Sequence, residues 1–141
     1  RKLRKRIPPA GSMIRNPIDA AIAFVHLPLM GEVLDIVAQS KEADGFIVSV
    51  PLDWLYNQSP DGAYIETLAT YLATEAKKYA GGKPMLVAWR QYEASPKIRR
   101  WIPVFKDTLM KAGIPVYEGL PKAVRALSRL AEYYEYQGLA K

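Results

Sequence analysis

The sequence predicts an α/β protein in which a mostly parallel sheet lies between two layers of helices. Two observations lead to this prediction. Strand patterns alternate along the chain with helical patterns of ten or more residues, and the strand patterns at 46–50 and 85–89 are apolar nearly throughout. Alternation of this kind is typical of βαβ units. A continuous apolar run is expected of a strand that is buried on both faces.

Composition limits the possible classes of protein. The 141 residues suit one compact domain, and the hydrophobic fraction of 50% excludes disorder by composition. There is no cysteine and only one histidine, which excludes a disulfide scaffold and cysteine catalysis and argues against a zinc site. The apolar runs are far shorter than the roughly 20 residues that span a bilayer. We therefore expect a cytoplasmic protein with no membrane segment.

The net charge of +6 is concentrated at one end of the chain. Five of the 20 basic residues lie in the first six positions, and the remaining 15 basic residues face 14 acidic ones, a balance of +1. A basic run can bind nucleic-acid phosphates, but short basic ends are more often solvated. Residues 1–14 are therefore interpreted as a basic linker or the end of a preceding element, and nucleic-acid binding is the less favoured alternative. Because residue 1 is Arg and not Met, we expect the sequence to begin inside a longer protein.

The main domain is predicted over residues 15–141. At its start Asn16 and Asp19 are expected to fix a turn through side-chain hydrogen bonds to nearby amides. The apolar stretch 20–25 is ambiguous between a strand and the start of a helix. From Leu29 onward the apolar positions recur at helical spacing, which predicts an amphipathic helix.

Two further helices are predicted after the strand at 46–50. The first begins at Ser59, with Ser59 as N-cap and Pro60 in the first helical position, and ends at Gly81–Gly82. The second begins at Pro103 and is closed by Gly113.

A short strand at 114–117 and a last helix opening at Gly119 complete the fold, which we predict to be a flavodoxin-like three-layer sandwich. The residues of the last helix predicted to face inward are Val124, Leu127, Leu130, Ala131 and Tyr134.

Candidate site residues lie in the loops that follow the strands, because parallel sheets bind ligands at the carboxyl ends of their strands and near helix N-termini. An anion site is predicted at Ser59, Asp61 and Gly62, at the start of a helix. The candidate contacts to a phosphate or nucleotide are Arg90, Arg99 and Arg100, with a solvated basic loop as the alternative.

Other chemistries lack their residue sets. Nucleotide-binding glycine motifs, nucleophile elbows and zinc-protease motifs do not occur. We interpret His26 as a structural or surface residue and not as a catalytic one. Asp19, Asp44, Asp53 and Asp61 are interpreted as turn and cap residues and not as a magnesium site. No metal ligands and no catalytic residues are predicted in this chain.

Five phrases in order resemble one family. They are NPID at 16–19, DGFIV at 44–48, GKPMLVAW at 82–89, AGIPVY at 112–117 and PKAVRAL at 121–127. Together they resemble the C-terminal flavodoxin-like (succinyl-CoA ligase-like) domain of ADP-forming or NDP-forming acyl-CoA synthetases, the family of ADP-forming acetate–CoA ligase. One departure is that polar residues follow Trp89, at 90–96, where the family usually has small, glycine-rich ones.

The resemblance implies a role within a larger enzyme that converts acyl-CoA, ADP and phosphate to an acid, CoA and ATP. It implies that the phosphohistidine, CoA-binding and ATP-grasp domains, which bring CoA, ADP or ATP and magnesium, lie in other domains or subunits. The fragment is then inactive alone and binds no cofactor itself. Its partners are those domains, and a homo-oligomer is left open. The alternative is a stand-alone flavodoxin-like binding or regulatory module that has lost the active-site loop.

Overall fold

The computed structural model describes residues 2–9, 11–79, 82–90 and 96–138. The chain divides into two compact units, Arg1–Asp44 and Gly45–Lys141. This division lies inside the range 15–141 that the sequence assigns to one domain, and that assignment stays a prediction. The helices and strands are α1 (Leu27–Ala38), β1 (Phe46–Pro51), α2 (Leu52–Gln58), α3 (Ala63–Lys78), β2 (Met85–Arg90), α4 (Pro96–Arg99), α5 (Trp101–Lys111), β3 (Val116–Glu118) and α6 (Leu120–Tyr136).

The first unit contains α1 and two short 3₁₀ helices at Leu3–Lys5 and Ala21–Phe24. The ambiguous stretch 20–25 is thus largely helical and not a strand. Met13 and Asp19 exchange both main-chain hydrogen bonds, at 2.9 and 2.8 Å. The turn before α1 is therefore closed by the backbone of Asp19, where the sequence led us to expect its side chain.

The single histidine caps α1. The imidazole Nδ1 of His26 accepts a hydrogen bond from the Leu29 amide at 3.1 Å, and Pro28 follows in the first turn. His26 therefore has a structural role, as its isolation in the sequence predicted. A salt bridge between Arg6 and Glu32 also lies within this unit, and the hydrogen bond from Arg6 lowers the pKa of Glu32.

Replacing His26 by alanine is expected to weaken the start of α1. Loss of an N-cap acceptor costs about 1 kcal/mol in comparable helices, so the Leu29 amide should exchange with solvent several-fold faster. Native-state hydrogen exchange measures this, and His26→Asp, which keeps an acceptor at the cap position, is the control. Unchanged exchange at Leu29 in His26→Ala would contradict the assigned cap.

The second unit is built on a parallel three-stranded sheet in the order β1-β2-β3. Each strand is connected to the next through helices, as parallel pairing requires. The predicted α/β class and parallel sheet are confirmed. Five consecutive residues of the central strand, Met85–Trp89, are buried. A strand whose side chains are buried on both faces explains why its sequence shows no polar alternation.

Two helical segments approach the chain where β1 begins. The ring of Phe46 meets the ring of Tyr79, which follows α3, with 6.0 Å between centroids. A Cβ added to Gly45 would lie 3.5 Å from Cδ1 of Leu127 on α6. Both contacts therefore lie at the start of this strand.

The predicted inward stripe of α6 is wrong for most of its members. Ala123 is the buried residue of this helix, and Leu127 is half-buried. The residues predicted to be inside but found exposed are Val124, Leu130, Ala131 and Tyr134. The helix of 17 residues is about 25 Å long at 1.5 Å per residue, whereas β1 and β2 have six residues each. The second half of α6 therefore extends beyond what the short sheet can cover.

Candidate functional site

The carboxyl ends of the three strands lie at one edge of the sheet. Pro51, the last residue of β1, is paired in register with Arg90, the last residue of β2, and Trp89 is paired with Glu118 of β3. Helix α2 begins directly after β1 and α6 begins one residue after β3. The edge that the sequence analysis selected is therefore surrounded by helix starts.

The predicted start of α3 is wrong by three residues. The helix begins at Ala63 after Gly62 as N-cap, and Ser59 instead ends the preceding helix α2. The segment 52–58, between the predicted strand and the predicted helix, forms α2. A polar turn of Ser59, Asp61 and Gly62 thus joins the two helices.

Asp61 holds this turn together. Its Oδ1 accepts a hydrogen bond from the Ser59 hydroxyl at 2.6 Å and from the Ala63 amide at 3.0 Å. The hydroxyl, followed by the amide, lowers the pKa of Asp61. The Asp61 carboxylate therefore already accepts the hydrogen bond of the first amide of α3. The sequence had predicted that this amide would bind an external anion. Ser59 and Gly62 contribute to the turn and not to an open pocket of amides.

The lowered pKa of Asp61 gives a prediction with a definite sign. The carboxylate stabilises the folded state above the unfolded aspartate pKa of roughly 3.9, and this contribution is lost as the pH falls through the lower folded pKa. In an NMR titration the Ala63 amide signal should therefore move with a midpoint below that of an unperturbed aspartate. Asp61→Asn, which keeps an acceptor but cannot ionise, should abolish the transition. A midpoint at or above the ordinary value would contradict the hydrogen bonds described.

Trp101 is a site residue that the sequence analysis missed. It is the first residue of α5, and its ring lies so close to Gly62 that an added Cβ would be 2.0 Å from Cε2. Gly62 is buried with φ +77°, a conformation that favours glycine. Within the described ranges, the indole nitrogen of Trp101 is buried without a hydrogen-bond partner. The sequence offered only a glycine near the start of a predicted helix and a tryptophan within a basic segment.

Arg100 is linked to the turn at Ser59–Gly62 because its guanidinium packs on the Trp101 ring. Its guanidinium carbon lies 5.2 Å from the centroid of the Trp101 ring, within cation–π range. The structure thus brings together Arg100, Trp101 and the Ser59–Gly62 turn, which are about 40 residues apart in sequence. This contact cannot be seen in either segment alone.

The other predicted basic contacts are less closely tied to the turn. Arg90 is exposed at the end of β2, and Arg99 is exposed on the short helix α4. The hydrogen bonds of the Asp61 turn within the described part of the chain do not include Arg99 or Arg100. Residues 91–95, which hold most of the departure from the family pattern, lie outside the described residues.

The acidic residues do not form a metal centre in the part of the chain that the structure describes. No group of three or more potential ligands is present there. Asp53 is buried in the first turn of α2, where its Oδ1 accepts from the Trp54 amide at 3.0 Å. Asp53 and Asp61 are each bonded at the start of a helix, which agrees with their interpretation as turn and cap residues.

Among the described helices, none combines the length and the apolar character that crossing a bilayer would require. The comparisons with protein families, with characterised proteins and with solved structures found no match.

Proposed function

We propose that this chain is the succinyl-CoA ligase-like domain of an NDP-forming acyl-CoA synthetase. In this role it supports phosphoryl transfer and domain assembly in the cytoplasm and is inactive alone. The observation that carries the proposal is the convergence of Arg100, Trp101 and the Asp61 turn at the starts of α3 and α5, the helices of the connections that leave the carboxyl ends of β1 and β2. Phosphorylated groups bind at this edge in doubly wound α/β folds. The order of the five sequence phrases supplies the choice of family.

Two packing contacts support a flavodoxin-like arrangement of three layers. Phe46 is the first residue of β1 and Gly45 directly precedes it, so in an extended chain the Phe46–Tyr79 contact and the approach of Leu127 to Gly45 fall on opposite faces. Helices α3 and α5 also contact each other. Since consecutive right-handed crossovers in the strand order β1-β2-β3 lie on one face, α3 and α5 form one layer in this proposal and α6 belongs to the other.

Two features decide which residues can bind a phosphate here: the positive charge of the arginines and the Ala63 amide, which is already bonded to Asp61. An incoming phosphate cannot use the Ala63 amide while the Asp61 carboxylate holds it. We therefore assign the anion contact to the guanidinium of Arg100, oriented by the Trp101 ring, with Arg90 and Arg99 as further cations at the same edge. Arginine suits this role because its planar fork donates two parallel hydrogen bonds to a phosphate.

The test is calorimetric titration of the chain with inorganic phosphate, CoA and ADP. We expect inorganic phosphate to bind, with CoA and ADP competing only through their phosphates, and a loss of about tenfold in phosphate affinity in Arg100→Gln, equal to about 1.4 kcal/mol. Arg125→Gln, an exposed arginine on α6, is the matched control and should bind as the parent does. If none of the three compounds binds, or if the two variants behave alike, the anion-binding role of this edge is wrong.

One observation favours a second candidate, a stand-alone binding or regulatory module without phosphoryl chemistry. The Asp61 carboxylate takes the position that an anion would have at the start of α3, because it accepts the hydrogen bond of the Ala63 amide. Under this candidate Asp61→Asn would not create or improve phosphate binding, because the turn serves only to join α2 and α3. Under the first candidate Asp61→Asn should strengthen phosphate binding, since a negative charge beside the site is removed.

A further inference from the structure

The net charge of the chain lies entirely in residues 1–15, which we call the basic segment. Six of the 20 basic residues are found there together with no acidic residue, so the other 14 basic residues are balanced by 14 acidic ones. In the sequence, nucleic-acid binding is the less favoured alternative for this segment, because short basic ends are more often solvated tails. The choice therefore depends on whether the chain near Leu3–Lys5 is solvated or packed.

The start of the basic segment is an anchored turn and not a solvated tail. Leu3–Lys5 is a 3₁₀ helix, and the side chain of Ile7, just after it, is 1% exposed. The guanidinium of Arg6 forms a salt bridge with Glu32 of α1. A buried side chain and an ion pair thus hold the turn in place. Because its backbone is already ordered, a partner that binds the turn does not have to meet the entropic cost of ordering it.

Three cations of this turn are not neutralised by the protein. Lys2 and Lys5 are exposed, and the Lys5 amide donates to the Lys2 carbonyl at 3.1 Å. Side chains three residues apart eclipse in a 3₁₀ turn, so these two ammonium groups lie on one side and repel each other. Arg4 is exposed too, and its guanidinium donates only to neutral groups, the Pro8 carbonyl at 3.1 Å and the Ser12 hydroxyl at 3.2 Å. Within the described residues none of the three cations forms a salt bridge.

The apolar side chains of the turn are directed away from solvent, which limits the kind of partner it can bind. Leu3 is half-buried and Ile7 is buried. A protein interface has a desolvated apolar or aromatic centre, and a helix that binds a membrane surface inserts an apolar face. Binding by charge alone instead requires a partner with closely spaced charges. A nucleic-acid duplex has one phosphate per roughly 1.7 Å of its axis, so a turn that rises about 6 Å over three residues spans about three phosphates.

We propose that the basic segment binds the phosphate backbone of nucleic acid without reading its sequence. Lys2, Arg4 and Lys5 make the phosphate contacts, on a turn that the packing of Ile7 holds in place. An isoelectric point of about 9.5 with the excess basic residues clustered in one segment is the charge distribution typical of such proteins. Contacts to phosphates carry no sequence information. This inference does not rest on the proposed function, since none of these residues belongs to the Arg100 site.

The salt dependence of binding is the first test. Fluorescence anisotropy of a labelled DNA duplex of about 20 base pairs, titrated with the full chain, gives the affinity. Three phosphate contacts predict a slope of about −2.7 for the logarithm of affinity against the logarithm of salt concentration, which is a roughly fortyfold loss between about 50 and about 200 mM salt. A second duplex of unrelated sequence should bind within about threefold of the first. Absence of binding at the lower salt concentration, or binding that does not change with salt, would overturn the proposal.

Paired variants make the test specific to the turn. Lys2→Gln combined with Lys5→Gln should weaken binding by about tenfold or more at the lower salt concentration and make the salt slope shallower by about 2. Lys41→Gln combined with Lys111→Gln is the control, because it removes the same charge from two exposed positions outside the basic segment. All four side chains are exposed, so circular dichroism should show folded protein in both variants. Equal weakening by the two pairs would mean that net charge alone is responsible and would contradict the proposal.

Competition identifies the kind of partner. Polyglutamate and vesicles that contain phosphatidylserine are added to the labelled complex at the same concentration of negative charge as unlabelled duplex. Polyglutamate should compete poorly, because an extended polypeptide has one charge per roughly 3.3 to 3.6 Å, about half the charge density of a duplex. The vesicles should compete poorly because the turn has no exposed apolar side chain to insert. If either competitor displaced the labelled duplex as efficiently as unlabelled duplex does, nucleic acid would be the wrong partner.

Discussion

Replacing Gly62 by alanine is expected to lower the free energy of unfolding by about 3 kcal/mol or more. Two costs add at this position. Gly62 has φ +77°, where a residue with a Cβ is destabilised by about 1 kcal/mol or more. The new methyl group would also lie 2.0 to 2.5 Å from three ring atoms of Trp101. Either the ring or the start of α3 must therefore move, and overpacking of this kind costs about 1 to 3 kcal/mol.

The two costs can be separated with a matched glycine. Gly113 has φ +79°, but an added Cβ there would meet no atom within 4 Å. Gly113→Ala should therefore show the backbone cost alone, and the difference between the two variants is the cost of the Trp101 contact. Urea unfolding followed by circular dichroism gives both values. Similar losses in the two variants would mean that Trp101 does not lie against Gly62 as described.

The contact also has a consequence for the site. If the Trp101 ring is displaced in Gly62→Ala, the guanidinium of Arg100 loses its orienting surface. Phosphate affinity should then fall in the Gly62 variant and not in the Gly113 variant, at temperatures where both are folded. The stability measurement and the binding measurement therefore report on the same ring.

The sheet could be predicted from the sequence because each strand carries its own signal. Residues 85–89 are apolar without alternation and are buried on both faces, so this strand can be recognised without knowledge of its neighbours. Residues 46–50 have a similar apolar pattern, but in β1 buried Val48 and Val50 alternate with half-buried residues, so its predicted burial on both faces is not found. The start of α3 could not be fixed in this way. Ser59, Asp61 and Gly62 are all favourable before a helix, and the choice among them is made by where α2 ends and by the space that Trp101 takes.

The α6 error has a different physical cause. Periodicity shows which face of a helix is apolar, but it does not show whether the sheet beside it is long enough to cover that face. With six-residue strands, Leu130 and Tyr134 in the second half of α6 remain in solvent although their spacing is that of buried residues. Val124 is exposed for another reason, because it lies about 100° around the helix from buried Ala123. The Arg100–Trp101–Gly62 contact was missed because it joins segments about 40 residues apart, each of which has an ordinary local explanation.

Replacing Phe105 by alanine is expected to cost about 3 to 5 kcal/mol of unfolding free energy, the usual range for a buried phenylalanine. Phe105 has no exposed surface, and it lies in the middle of α5, the helix that contacts α3. Removing the ring leaves a cavity in the core of this unit. The same packing positions Trp101 at the start of α5, so the loss should spread to the site.

Tryptophan fluorescence suits the measurement, because Trp54, Trp89 and Trp101 all lie in the unit Gly45–Lys141. Met110→Ala on the same helix is the control. Its side chain is 58% exposed, so truncation should change stability by no more than about 0.5 kcal/mol. If Phe105→Ala and Met110→Ala lowered the free energy of unfolding by the same small amount, α5 would not be packed through Phe105. The orientation of Arg100 by this helix would then lose its physical basis.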